Sequence, residues 1–212
     1  MKIKLNQITT TLFFTSILLF TLFIFSGCKK QKNDKTDTST YYYKATIGAA
    51  SYSQTVTATN GYIAGSSLGG TDDVTVTADI SPEDPSLANS TAISITKGIL
   101  HNYLSLTNAQ FYNYFAPGNF SYTTGPAYDP FKNGDGFIIS WFDKDGNEWT
   151  TNDGSGDQTN STIKIISVKE AQAINNYYVM VKLQFTCKLY NTNTGEMKQL
   201  TNGEFVGLFG KI

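Results

Sequence analysis

The stretch Tyr177–Tyr190, YYVMVKLQFTCKLY, decides the fold class of this 212-residue chain. Apolar side chains occupy its odd positions and polar ones fall between them; the apolar row is Tyr177, Val179, Val181, Leu183, Phe185, Cys187 and Leu189. An alternation of period two over this length predicts a long β-strand with one buried face. Cys187 belongs to the buried row, so we expect it to be an inert thiol in the core.

Shorter runs of the same character recur along the chain and are separated by turns rich in Gly and Asn. We interpret them as the strands Tyr42–Ile47, Tyr52–Ala58, Tyr62–Ser66, Val74–Ile80, Ala92–Thr96, Gly136–Phe142, Glu148–Thr151, Thr162–Val168, Glu196–Leu200 and Glu204–Phe209. About ten short strands predict an all-β fold, either an antiparallel β-sandwich or a barrel. We favour the sandwich because several strands are short and unequal.

One short helix interrupts this pattern. Thr107 and Gln110 have the spacing of a capping box, the sequence FYNYF follows, and Pro117-Gly118 ends the run. The next stretch, Ala116–Gly134, contains three prolines and predicts a long loop. Loops of this length are more often functional than structural filler.

The N-terminus has the profile of a signal peptide. Lys2 and Lys4 precede the uncharged run Ile8–Phe25, which is followed by Ser26-Gly27-Cys28. Small residues before a cysteine at the end of an apolar run resemble the bacterial lipoprotein signal, in which cleavage precedes the cysteine and lipid is attached to it. An uncleaved membrane anchor is the alternative, because about 20 apolar residues span a bilayer.

This resemblance divides the chain into three parts: a signal peptide at 1–27, the lipidated Cys28 with a disordered tether at 28–40, and a β-sandwich domain at 41–212. Each buried acyl methylene contributes about 0.8 kcal/mol, so the lipid on Cys28 would hold the protein on a membrane. Lys29–Thr40 is polar and cannot form a core. We expect a lipid-anchored protein of the cell envelope, at the outer membrane, with its periplasmic or surface orientation left open.

The composition argues against several classes of function. The chain has no arginine and is weakly acidic, which argues against nucleic acid as a partner. Its only cysteines are Cys28 and Cys187, so with Cys28 lipidated no disulfide forms and the domain depends on its own core.

The segment Ser140–Asp157, SWFDKDGNEWTTNDGSGD, predicts a hairpin that turns at Asp143–Asn147. Gly146 stands where a type I turn with a G1 bulge needs a positive φ, and this register pairs Trp141 with Trp149. Calcium is the alternative interpretation, with Asp143, Asp145, Asp153 and Asp157 as candidate ligands. The spacing departs from an EF-hand loop, because glycine falls at loop position four and position twelve lacks glutamate.

A glycan site is the third possibility for this half of the chain. Glycan sites combine aromatic faces with side chains that hydrogen-bond to hydroxyl groups. The candidate ligand-binding residues are Tyr112, Tyr114, Tyr122, Tyr128 and Trp149. Trp141 alternates in phase with Phe137 and Ile139, so we expect it in the core.

Catalytic signals are weak, and we expect no enzymatic activity and no cofactor apart from the covalent lipid and, in the alternative interpretation, calcium. Gly65-Ser66-Ser67-Leu68-Gly69 matches G-x-S-x-G, but a strand pattern follows it where a nucleophile elbow requires a helix. His101 is the only histidine, and a single histidine does not fit the usual zinc ligand sets.

The C-terminal half adds a family resemblance. IISWFDKDGNEWTT, STIKIISV and VKLQFTCKLYNTNTGEMKQLTNGEF resemble small uncharacterised lipoproteins of Bacteroidota over about Gly136–Phe209. The resemblance implies a β-sandwich without an agreed activity. Two functions follow: a tethered binding domain that recognises a glycan or a protein through aromatic and acidic loops, or a non-catalytic structural and assembly lipoprotein of the envelope.

Overall fold

The computed structural model describes residues 40–57, 62–68, 72–81, 90–123, 125, 131–132, 135–173 and 176–211. These residues belong to the compact unit Asp37–Ile212. The predicted signal peptide, Cys28 and the tether lie outside the described residues, except for Thr40, which belongs to the first β-strand and not to a tether. Within the described ranges, no helix is long and apolar enough to cross a membrane.

Eleven strands and one α-helix form in the described ranges, and every pairing between strands is antiparallel. The strands are β1 Thr40–Ile47, β2 Ala50–Thr57, β3 Tyr62–Leu68, β4 Val74–Ile80, β5 Ala92–Leu100, β6 Gly118–Phe120, β7 Gly136–Phe142, β8 Glu148–Thr150, β9 Thr162–Ala173, β10 Asn176–Asn191 and β11 Met197–Lys211. The helix, α1, is Asn108–Tyr114, and a 3₁₀ turn at Tyr103–Ser105 precedes it.

The long strand β10 confirms the prediction made from its alternation. All seven apolar residues of the odd row are buried, and Cys187 is a buried free thiol. β10 pairs with β11 on one side; on the other it pairs first with β9 and then, at Tyr190 and Asn191, with β8. Because β10 is longer than either of these neighbours, it joins the two halves of the sheet.

The strand order is β2-β1-β11-β10-β8-β7-β5-β4-β3, with β9 on β10 and β6 on β9. The sheet curls, so strands far apart in this order face each other across the core. Tyr52 of β2, for example, meets the ring of Trp141 of β7 edge-on, with 4.8 Å between ring centroids. The all-β sandwich with a single short helix is therefore confirmed.

Helix α1 packs its apolar face against the interior of the sheet. The ring centroid of Phe115 lies 4.7 Å from that of Phe209, and Phe111 meets Tyr177 edge-on. The predicted capping box is present: the Thr107 hydroxyl accepts from the Gln110 backbone N–H at 3.2 Å, and Gln110 Oε1 accepts from the Thr107 N–H at 2.8 Å. This cap satisfies two of the N–H groups that the start of a helix leaves unpaired.

The prediction of two separate C-terminal strands is wrong. Glu196–Leu200 and Glu204–Phe209 are parts of the single strand β11, and Thr201-Asn202-Gly203 is a bulge inside it. Three residues of β11 oppose two of β10 on one side and two of β1 on the other. Asn202 takes the left-handed φ of 52° that absorbs the extra residue. In sequence, an Asn-Gly pair predicts a turn, and only pairing on both sides makes it a bulge.

Gly203 is required at this bulge. A Cβ at this position would lie 2.5 Å from the Phe185 ring and 2.7 Å from the Phe185 carbonyl oxygen, and backbone cannot move aside. We expect Gly203→Ala to lower the free energy of unfolding by about 1–3 kcal/mol, as overpacking does, measured by urea denaturation. Gly118→Ala is the matched control, because its Cβ would meet only Phe120 at 3.9 Å. Equal stability of the two variants would contradict this account of the bulge.

The stretch Ala116–Gly134 is not the uninterrupted loop that was predicted. Gly118–Phe120 forms β6 and extends the sheet next to β9, and Tyr122 makes an isolated bridge with Phe137. This strand was not predicted, because an edge strand of three residues leaves almost no pattern in the sequence. The three prolines of the stretch also indicated a loop.

Candidate functional site

The hairpin predicted within Ser140–Asp157 is confirmed. Trp141 pairs with Trp149 and Phe142 with Glu148, the Gly146 N–H donates to the Asp143 carbonyl at 3.0 Å, and Gly146 has a φ of 78°. Trp141 is 1% exposed, so it lies in the core, as predicted.

The Asp143 carboxylate is occupied by donors of its own hairpin. It accepts from the backbone N–H groups of Asp145 and Asn147, from the Asn147 amide, and from Trp149 Nε1 at 3.0 Å. Partial burial would raise the pKa of Asp143, but the hydrogen bonds from Trp149, Asn147 and Asp145 outweigh it and the pKa is lowered. The aspartate therefore fixes the turn and orients the indole.

The other calcium candidates are also engaged by neighbours. Asp145 pairs with Lys144 at 2.7 Å, Asp153 accepts from the Gly154 N–H at 2.7 Å, and Asp157 pairs with Lys188, which holds the pKa of Asp157 well below its usual value. In the part of the chain that the structure describes, no three His, Cys, Asp or Glu side chains cluster as metal ligands would. Calcium stays a prediction from the sequence pattern.

The aromatic candidates hold the fold together where the structure describes them. Tyr112 is half-buried and donates to the Val168 carbonyl at 3.1 Å, and Tyr122 is buried with its hydroxyl 2.9 Å from the Thr186 carbonyl. Trp149 is 3% exposed. Tyr128 lies outside the described residues. The candidate site therefore consists of other residues.

The Tyr114 ring contacts Lys97, a residue that the sequence analysis missed. Lys97 of β5 is 5% exposed, and its Nζ lies 3.3 Å from the centroid of the half-buried Tyr114 ring and 5.2 Å from that of Phe120. Burial lowers the pKa of Lys97 to about 8, against an opposing effect of Asp135. The signal was present in the sequence, because Lys97 alternates in phase with Ile93 and Ile95 and so belongs to the buried row.

A groove of about 520 Å³ crosses the other face of β4, β5, β7 and β8. We call it the hydroxyl groove; the strand residues that line it are Thr75, Thr77, Thr96, Ile138, Ser140, Glu148 and Thr150. Thr77 pairs with Thr96 across the strands, with 2.9 Å between their hydroxyl oxygens, and Ser140 pairs with Thr150. Cross-strand pairing therefore places hydroxyl groups in rows on one surface.

Both predicted loops contribute to the hydroxyl groove. Asn152 and Asp153 of the acidic loop line one part of it, and Phe131, from the stretch predicted as the long loop, lines another. Asn152 is held in place because its Oδ1 accepts from the Thr150 hydroxyl at 2.8 Å. The groove has the size of a small-molecule site, which is usually about 300–1,000 Å³.

The weak catalytic signals lie apart from this groove. Gly65–Leu68 belong to strand β3 and not to a strand-to-helix turn, and Gly69 lies outside the described residues. His101 is exposed, and its Nδ1 lies 2.9 Å from Asp73 Oδ1. The two residues form a surface pair, which does not line the hydroxyl groove where the structure describes it.

Comparison of the chain with protein-family models, with curated proteins and with solved structures found no match. The resemblance to Bacteroidota lipoproteins therefore stays a prediction from the residues of the C-terminal half.

Proposed function

We propose that this protein is a lipoprotein of the cell envelope, anchored at the outer membrane through lipid on Cys28, whose β-domain binds a neutral glycan in the hydroxyl groove. The observation that carries the binding part is the groove itself: aligned hydroxyl groups of four strands meet the acidic loop at Asn152 and Asp153. The anchor rests on the sequence of the first 28 residues.

The chemistry of the lining suits a sugar. A threonine or serine hydroxyl both donates and accepts, so it can pair with any sugar hydroxyl, while Glu148 and Asp153 accept only. Ile138 and the threonine methyl groups offer apolar contact to the C–H groups of a sugar ring. No lysine is among the described lining residues, which favours a neutral glycan over an anionic one.

A glycan array on the purified full-length protein in detergent tests this proposal. We expect a defined signal for neutral glycans. We expect Asp153→Ala and Thr96→Val each to raise the dissociation constant about tenfold, as the loss of one hydrogen bond to a bound hydroxyl does. Asp145→Ala is the control, because Asp145 is exposed on the hairpin turn outside the groove.

The array tests where the glycan binds, and a repeat of the array with EDTA tests whether calcium is involved. Binding of a neutral glycan that survives both groove substitutions would place that ligand elsewhere and refute the hydroxyl groove. Repeating the array with EDTA tests calcium independently, since a signal that disappears on chelation and returns with Ca²⁺ would support the acidic residues as ligands.

A second function, assembly with other envelope proteins, is favoured by the edge strand β2. Within the described residues β2 pairs only with β1, and its sequence ASYSQTVT lacks the charges and proline that usually protect an edge. An exposed edge of this kind can accept a strand from another chain. If the array is silent, sedimentation of the protein alone and with envelope extract becomes the deciding measurement.

A further inference from the structure

A second row of polar side chains crosses six strands on the opposite half of the sheet. In register, from β6 to β2, its members are Asn119, Lys164, Gln184, Glu204, Lys44 and Ser53. Directly paired residues point to the same face, so these side chains stand side by side. All but Ser53 line a groove of about 510 Å³, which we call the lysine groove.

Glu204 organises the charge in the lysine groove. Its Oε1 lies 3.3 Å from Lys44 Nζ and 3.4 Å from Lys182 Nζ, and it accepts a hydrogen bond from the Tyr42 hydroxyl. The Tyr42 hydrogen bond and then the two lysines, against some desolvation, lower the pKa of Glu204, so the carboxylate is charged. One carboxylate thus orients two ammonium groups.

Lys164 gives the lysine groove an excess of positive charge. Within the described ranges it makes no ion pair, whereas Lys44 and Lys182 share Glu204. Two lysines, Lys44 and Lys164, line the groove against one glutamate, and Lys182 contacts Glu204 from beside it, so the groove is positive on a chain whose overall formal charge is −1. Such a patch attracts anions, and its attraction weakens as salt increases.

The bulge in β11 shapes this groove. Asn202, exposed in its left-handed conformation, adds an amide at the rim of the groove, which Gly203 also lines. Asn119, Gln184 and Asn202 therefore present three amide side chains around the charged row. Each amide offers both donors and an acceptor, which is what sugar hydroxyl groups need.

We propose that the lysine groove binds a carboxylate-bearing glycan, that is, a chain containing uronic acid residues. Lys164 and Lys44 pair with carboxylates, while Gln184, Asn119 and the central Glu204 hydrogen-bond to hydroxyl groups. A nucleic acid fits poorly, because the chain has no arginine fork for phosphate. This site goes beyond the proposed function, since its lining shares no residue with the hydroxyl groove.

The test is calorimetric titration of the full-length protein in detergent with oligomers of galacturonate, glucuronate and mannuronate. Each is compared with the neutral oligomer of matched length and linkage in which the carboxylates are reduced to hydroxymethyl groups. We expect binding of at least one acidic oligomer, at least tenfold tighter than its neutral counterpart and weaker as salt is raised. Lys164→Gln is expected to weaken that binding about tenfold, the effect of losing a charge-assisted hydrogen bond.

Lys144→Gln is the matched control, because Lys144 is an exposed lysine on the hairpin turn outside the groove. Unchanged thermal unfolding would establish that each variant is folded. The proposal is overturned if no acidic oligomer binds, if the neutral oligomer binds equally, if Lys164→Gln and Lys144→Gln behave alike, or if inorganic phosphate or duplex DNA competes better than a uronate. Asp153→Ala, which tests the hydroxyl groove, should leave uronate binding unchanged.

Discussion

Replacing Trp141 by alanine is expected to lower the free energy of unfolding by about 3–5 kcal/mol, the cost of removing a large buried aromatic side chain and leaving a cavity. Trp141 is 1% exposed, and its ring meets that of Tyr52 from the facing part of the sheet at 4.8 Å. Its loss would weaken the contact between two strands that are not neighbours in the sheet. Urea denaturation followed by circular dichroism measures the effect.

Phe142→Ala is the matched control for this prediction. Phe142 follows Trp141 in the same strand but is 36% exposed, so its removal leaves no closed cavity. Substitutions at such surface positions usually change stability by about 0.5 kcal/mol or less. If Trp141→Ala costs no more than Phe142→Ala, then the contact between β2 and β7 does not hold the two parts of the sheet together.

The parts of the fold that could be predicted from sequence are those in which local pattern and tertiary packing agree. The alternation in β10, the hairpin register that pairs Trp141 with Trp149, and the capping box at Thr107 each need only contacts within a few residues or one buried face. A local signal of this kind survives folding because nothing distant contradicts it.

The bulge at Asn202 and the lysine in the core show where this reasoning fails. The Asn-Gly pair predicts a turn, but β1 and β10 both pair through it and keep the strand continuous. Lys97 was overlooked because lysine is rarely buried without a partner, although its place in the alternation was visible. In both cases tertiary context overrides a residue preference.

The candidate sites were only partly predictable for a related reason. The acidic loop at Asn152 and Asp153 was singled out and does line a groove, but the hydroxyl and lysine rows join residues from strands far apart in sequence. Glu204 and Lys44, for example, are paired across β11 and β1. Without the strand order, no spacing in the sequence connects them.

The pH dependence of stability is expected to report Lys97. Its pKa is about 8 in the folded protein and 10.5 in the unfolded chain, so between these values the unfolded state binds more protons. Stability from this group therefore rises with pH across the window and is lost as pH falls through 8. At about 1.4 kcal/mol per pKa unit, the buried charge costs about 3 kcal/mol at pH 7.

Lys97→Met removes the charge and keeps an unbranched side chain, so we expect this variant to be the more stable protein at pH 7. Its advantage over the wild type should shrink by about 2 kcal/mol between pH 7.5 and pH 9.5, measured by urea denaturation at each pH. The difference between the two proteins is the informative quantity. Burial also raises the pKa values of Cys187 and Tyr122, so both proteins lose stability at high pH. This loss is the same in the wild type and the variant, and it cancels in the difference between them.

Lys198→Met measures how much a lysine contributes to stability when it contacts an aromatic ring without being fully buried. Lys198 Nζ lies 3.5 Å from the Trp149 ring centroid, close to the 3.3 Å between Lys97 Nζ and the Tyr114 ring, but Lys198 is only half-buried. A cation over a ring contributes about 0.5–1 kcal/mol at an exposed site, so this variant should be slightly less stable than the wild type. A Lys97→Met variant whose stability depended on pH just as the wild type's does would show that the Lys97 ammonium is not desolvated, because desolvation produces the difference in proton binding.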